Sequence, residues 1–308
     1  MGNHSAGRRT FLACAGGALL AMPAVFARAA TPSFKTVNPG VITIATSGEL
    51  PMASIESGKL LGTDGEMLSL IAERLGLGVQ PALMEWASTV QSVRSGRADV
   101  MLGNMAWTPT RTTALLLTDA VYYAATYVAM RADEPFSESI TVADLKGRSV
   151  GTGTGGSNVP DMKKIPGVGE VKLYDGSDPC IRDILTGRLD FAFLDGPLID
   201  YMISKNPDWK LKQIPIVADP ALPTLTSKQF TVFGMNQENP ELFDAVNSGI
   251  RWLWRTKKNA DALQRYGVRS SDYLTAPDFN RRIGVDRTGT DDLFGPGAHD
   301  RKDYGSYF

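Results

Sequence analysis

Residues 150–158 read VGTGTGGSN, which sets Gly151, Gly153 and Gly156 at the spacing G-x-G-x-x-G. After a strand and before a helix, such glycines let backbone N–H groups cradle a dinucleotide pyrophosphate, and Asp175 stands where an acid would hold the ribose. The chemistry on offer is anion recognition. Against the dinucleotide reading, Pro160 and the breaker IPGVG at 165–169 leave room only for a short helix instead of a long crossover. In either case the loop keeps glycine-lined amides and a helix start at Ser157 and Asn158, which favour an anion or a polar group.

Other reactive groups are sparse. The two histidines, His4 and His299, lie near opposite ends of the chain, so a His-based triad or a zinc site with several His ligands has almost nothing to be built from. Cys180, in DPCIRDIL, sits where a helix N-terminus lowers a thiol pKa, and equally where a buried cysteine is inert. Glu49, in the loop SGELPM that also holds Ser47, reads either as a contact for a cationic ligand or as a surface charge.

These groups have to be positioned by elements that the chain states twice. SGRADVMLG at 95–103 and TGRLDFAFL at 186–194 each place Ser or Thr before Gly-Arg-x-Asp and an apolar run. The pattern predicts a helix closed by Gly96 or Gly187, a tight turn, and a buried strand of a parallel sheet over 100–102 or 191–194. Upstream of the first copy, 41–46 (VITIAT) reads as a strand, 64–76 as a helix, GVQPALME as a strand, and the residues through Val90 and Val93 as a short helix. Upstream of the second, 148–152 reads as a strand, SNVPDMKK as a short helix, 170–174 as a strand, and DPCIRDILTG as a helix capped by Asp178 with Pro179 in its first turn. Both units are βαβαβ, which implies two α/β lobes whose strands open by their carboxyl ends onto a crevice.

YVAMRADEP and SKQFTVFGMN are expected to be the hinge pair between the lobes. PELFDAVNSGIRWLWRTKKNADALQRYG has apolar residues at helical spacing and is expected to pack back on lobe one, with Trp252 and Trp254 as core and rim. From Thr275 the composition turns to Asp, Arg, Gly and Pro without periodicity. That tail reads as extended or partly disordered, wrapping the surface through Phe294, Tyr304 and Tyr307.

The first residues carry Arg8-Arg9, an apolar stretch from Phe11 to Ala27 interrupted by Gly16, Gly17 and Pro23, and small residues at Ala27 and Ala29. They resemble a twin-arginine export signal cleaved after Ala29, and the periplasm is the expected location. Removing 1–29 takes away three arginines and no acid, moving the formal charge from -1 to -4. No stripe of Lys or Arg remains, which argues against a nucleic-acid partner. With Cys14 gone Cys180 is alone, so no internal disulfide is expected.

The blocks LLGTDGEMLSLIAERLG, SGRADVMLGNMAWTPTR, VYYAATYVAMR, DLKGRSVGTGTGGSN and TGRLDFAFLD, in this order between about Val41 and Gly267, resemble the bacterial extracellular solute-binding proteins of family 3, which serve amino-acid ABC transporters. The resemblance implies a two-lobe periplasmic binding protein fold of type II, with a two-strand hinge. Lobe one would span 41–128 plus 232–274 and lobe two 133–226, with 275–308 as a C-terminal tail. It also implies a site. Arg111 matches the arginine that holds a ligand α-carboxylate, Asp195 the acid that pairs with an α-ammonium, and Trp86 the aromatic over the ligand body. Gly103, Asn104 and Ala106 match a contact segment on lobe one, joined by Ser47 in the first loop. Ser157 and Asn158 match the carboxylate clamp of lobe two.

Gly103 and Ala106 replace two serines often seen in the family, which suits a bulkier or less polar carboxylate. The expected function is capture of an amino acid or related small carboxylate for an ABC transporter, by a monomer without cofactor or catalysis. Two alternatives stay open: a carrier for a larger periplasmic carboxylate such as a quinone, and an enzyme resembling cyclohexadienyl dehydratase, with Glu49 or Asp195 as its acid.

Overall fold

The computed structural model describes residues 1–2, 34–124, 127–268, 270–277 and 302–308. Residues 1–31 form a unit by themselves in which only Met1 and Gly2 are described, so the export signal lies outside the described residues. The second unit, 32–308, holds every element below.

Its first half opens with β1 (Val41–Thr46), the hairpin β2 (Ser54–Glu56) and β3 (Lys59–Leu61), and α1 (Thr63–Arg74). Next come β4 (Gly78–Leu83), α2 (Trp86–Arg94), β5 (Val100–Met101), α3 (Pro109–Thr112), β6 (Leu116–Leu117) and β7 (Tyr122–Ala124). The second half runs β8 (Tyr127–Arg131), β9 (Ser149–Gly153), α4 (Val159–Met162), β10 (Glu170–Tyr174), α5 (Ser177–Leu185), β11 (Phe191–Ala192), α6 (Gly196–Lys205), β12 (Leu211–Pro215) and α7 (Pro223–Thr226). The chain then returns through β13 (Gln229–Thr231) and β14 (Gly234–Met235) to α8 (Pro240–Thr256) and α9 (Lys258–Arg265).

Two lobes result, each a mixed sheet of five strands with flanking helices. One sheet is ordered β4-β1-β5-β14-β6 and the other β10-β9-β11-β8-β12. β1 lies parallel between β4 and β5, as β9 does between β10 and β11. Both central strands are covered on both faces, which is why VITIAT reads as a continuous apolar run instead of an alternating one.

The repeated Gly-Arg-x-Asp has one job in both lobes. Gly96 and Gly187 take left-handed φ of 72° and 74° just past their helices, the conformation that ends a helix cheaply only at glycine. Asp99 then accepts the backbone N–H of Thr43 at 2.8 Å, in β1, and Asp190 that of Ser149 at 2.8 Å, in β9. Each aspartate locks the start of the strand beside its own.

The structure departs from the expectations at four places. Asp178 is not the cap of α5: Gly176 precedes the helix, and Asp178 lies inside its first turn. YVAMR is not a hinge strand but β8, paired antiparallel with β11 and β12 inside the second sheet. The crossing falls one step earlier, where β7 pairs antiparallel with β13. The long C-terminal helical pattern breaks into α8 and α9 at Lys257, which has a left-handed φ of 58°.

The tail, finally, is ordered at its end: Lys302 N donates to Asp244 Oδ2 at 2.9 Å and Tyr304 N to Ser248 Oγ at 3.1 Å, both acceptors on α8. Tyr304 sits 5.4 Å from Phe34 and Phe308 5.7 Å from Trp252, centroid to centroid, while Phe294 lies outside the described residues. Trp252 is buried, and the partly buried Trp254 donates its Nε1 to Ala120 O at 2.7 Å, so neither faces the crevice.

Candidate functional site

Parallel strands present their carboxyl ends on one side, and the turns that follow β1, β5, β9 and β11 all open into a single cleft of about 160 Å³. Lobe one contributes Ser47 after β1, Trp86 at the start of α2, Gly103, Asn104 and Ala106 after β5, and Arg111 on α3. Lobe two contributes Ser157 and Asn158 after β9 and Asp195 after β11. All nine residues singled out from the sequence therefore line one cavity.

Arg111 is held by short-range chemistry. Thr108 caps α3, its Oγ1 accepting Arg111 N at 3.2 Å, with Pro109 in the first turn. The guanidinium donates through Nη1 to Ala106 O at 2.7 Å and lies 5.8 Å from the centroid of Trp86. Burial lowers its pKa to about 10, with the charge of Asp195 acting the other way, so it stays cationic at neutral pH. Among the described residues its acceptor is that backbone carbonyl and no side chain, which leaves guanidinium N–H groups for a planar anion.

Asp195 follows β11 at the position that precedes α6. Its pKa is pushed up to about 7, first by burial and then by the charges of Glu49 and Asp64, while a hydrogen bond from Asn104 and the charge of Arg111 oppose the rise. Asn104 is itself strained into a left-handed φ of 50°. Its side-chain Oδ1 accepts Thr231 Oγ1 at 2.8 Å, so one residue ties the lobe-one turn to hinge strand β13 and to Asp195.

Beneath that turn lies Asp64, which sequence reasoning passed over as one more acid at a helix start. Its carboxylate is fully buried and accepts Gly103 N at 3.1 Å, Asn104 N at 2.7 Å, Tyr122 OH at 3.0 Å and Thr63 Oγ1 at 3.0 Å. Burial raises its pKa and the four donors resist. The signal for it was weak, a lone Asp-Gly before an apolar helix.

Glu49 is neither a free surface charge nor open to a ligand on all sides. It reaches from lobe one to the start of α5 in lobe two, where Oε1 accepts Ser177 N and Oε2 accepts Ser177 Oγ, both at 3.2 Å. A carboxylate at a helix N-terminus is favoured by the unpaired N–H groups and the dipole there.

The glycine loop lacks the dinucleotide arrangement. The helix after it has four residues, Asp175 is exposed beside Thr154 at 3.3 Å, and the Asn158 amide turns back to Thr152 and Phe193 O. Cys180 is packed in the lobe-two core, where burial and the neighbouring Asp183 push its thiol up to about 12.

Comparison with known proteins identifies a family and a shared fold. The family described as bacterial extracellular solute-binding proteins, family 3, matches residues 42–269. A probable amino-acid-binding protein of Bacillus subtilis, YxeM, is 26% identical over 47% of this chain, which spans only 55% of that relative's length. The histidine-binding periplasmic protein of Salmonella typhimurium is 26% identical over 63% of this chain and 74% of its own. A crystal structure of the substrate-binding protein of an amino acid ABC transporter superposes with a TM-score of 0.63 at 21% identity, covering 74% of this chain and 99% of the other.

Proposed function

Since the chain belongs to the bacterial extracellular solute-binding proteins of family 3, we propose that it captures an amino acid or a related small carboxylate between its lobes and delivers it to an ABC transporter. Lobe one is assigned to 41–124 plus 232–274 and lobe two to 127–226, because β8 pairs inside the second sheet and moves the expected division at 128 and 133. The observation that carries the proposal is one cleft bearing a guanidinium from one lobe and a carboxylate from the other, Arg111 and Asp195. These are the two charges that an α-amino acid complements. A ligand bridging them has higher affinity for the closed arrangement and shifts the population towards it. The work site is the periplasm, after loss of 1–29.

Calorimetric titration of the mature chain with the twenty amino acids tests the function directly. Saturable one-to-one binding of at least one of them is expected. No binding to any, together with a retained quinone carboxylate seen by native mass spectrometry or aromatic product formed from a cyclohexadienyl acid, would replace it by one of the two alternatives.

The titration of Asp195 adds a pH signature. An ammonium stabilises the ionised carboxylate, and with a midpoint of about 7 roughly half of the empty clefts hold Asp195 protonated at pH 7. Binding of an amino acid at pH 7 should therefore release a fraction of a proton, and affinity should fall by about tenfold for each pH unit below the midpoint. Calorimetry in two buffers of different ionisation enthalpy reads the proton release, and its repetition over a series of pH values reads the change in affinity. A flat profile without proton release takes the ammonium away from Asp195.

A further inference from the structure

After α9 the chain does not simply leave lobe one. It forms a single turn, Ser271–Leu274, that lies against the hinge. Asp272 pairs with Lys228 at 3.1 Å, just before β13, and accepts a hydrogen bond from Tyr127 at the head of β8. The next residue, Tyr273, is 1% exposed, with its ring in the lobe-one core.

The hydroxyl of Tyr273 points out of that core into lobe two. It lies 3.4 Å from Asp200 Oδ2 on α6, and a β-carbon placed on Gly196 would meet it at 2.6 Å and the Tyr127 ring at 2.8 Å. Contact that close means that any side chain on the first residue of α6 must displace one of the two tyrosines. Gln213 of β12 completes the seat by donating Nε2 to Gly196 O at 3.1 Å and to Asp200 Oδ1 at 2.5 Å. Gly196 is bonded to Asp195. Any shift of the tyrosyl wedge is therefore passed, through one peptide, to the acid in the cleft.

The geometry points to Tyr273 as a positioning residue for Asp195: from the return segment of the chain it fixes the first turn of α6 against lobe one, and so sets how deeply the cleft carboxylate sits. This rests on the reading of Asp195 as a group of the ligand site. It also gives the turn 271–274 a task that the sequence did not suggest. The charged and titratable groups that bear on Asp195 are Glu49, Asp64 and Arg111, and those that bear on Tyr273 are Asp200, Asp272 and Tyr127. Removing the hydroxyl takes one hydrogen-bond donor from Asp200 and leaves Glu49, Asp64 and Arg111, the groups that bear on Asp195, in place.

The test reads Asp195 itself, without ligand. Protein labelled with carbon-13 at the aspartate carboxyls is titrated by NMR, the Asp195 signal being the one lost in Asp195→Asn. In the parent chain it should titrate near neutrality. In Tyr273→Phe, which keeps the ring, and in Gly196→Ala, which pushes the wedge from the other side, the midpoint should move by about half a unit or more as the first turn of α6 shifts. Thermal unfolding of the same samples separates this from loss of packing: a lowered Tm with the Asp195 midpoint unmoved in both variants overturns the proposal. Calorimetry with the amino-acid panel keeps the two readings apart, because a chain that binds no amino acid but shows the displaced midpoint loses its proposed function and retains the wedge.

Discussion

Arg111→Ala is expected to weaken binding of amino acids by at least about a hundredfold, while unfolding changes little. Truncating one member of a desolvated, hydrogen-bonded charge pair typically costs about 2–5 kcal/mol, and about 2.7 kcal/mol already corresponds to that factor. Among the described residues the side chain donates one hydrogen bond, to Ala106 O, and lies beside the Trp86 ring, so its removal subtracts little from the fold. Arg111→Lys keeps the charge but not the planar fork, and should recover only part of the affinity. The check is calorimetry on all three chains with the best ligand of the panel. Undiminished affinity in Arg111→Ala would remove this residue, and the whole lobe-one half of the site, from the account.

Asp64→Ala should be the most destabilising single change in the neighbourhood of the cleft. Two backbone N–H groups and two hydroxyls converge on this carboxylate, and their burial leaves no water to replace it. Stranding several buried donors at once costs on the order of 3–5 kcal/mol, which for a chain of this size lowers Tm by about 10 °C. Asp64→Asn should cost far less. Its carbonyl can still take the N–H groups of Gly103 and Asn104, while its amide faces the hydroxyls of Tyr122 and Thr63, which rotate to accept. Thermal unfolding of the two variants decides the matter, since equal losses in Asn and Ala would mean that the negative charge, and not the set of acceptors, holds the turn.

Much of the architecture could be read from residue pattern because local chemistry carried it. The two Gly-Arg-x-Asp segments announce two similar lobes, and the reason is visible in Asp99 and Asp190, which perform the same clamp on β1 and β9. The hinge is not legible locally, because YVAMR is equally apolar as a crossing or as a strand between β11 and β12; only the pairing tells them apart. The break at Lys257 has no glycine or proline to mark it. At the site, Arg111 and Asp195 were found through family motifs, since neither has a spacing that would identify it unaided. Glu49 and Ser177 meet across 128 positions of sequence, beyond any local window, and Asp64 acts through a fold-dependent convergence of donors that its Asp-Gly pair does not reveal.

Within the unit 32–308, the first and last described residues both pack on lobe one. Phe34 and Tyr304 meet with tilted rings, and the last residue, Phe308, packs on Trp252, so both ends of this body are moored to lobe one while lobe two is an excursion from it. A bead, electrode or fluorescent partner joined just before Phe34 or after Phe308 would thus grip the same half, leaving the other half unhindered as the moving arm of a sensor.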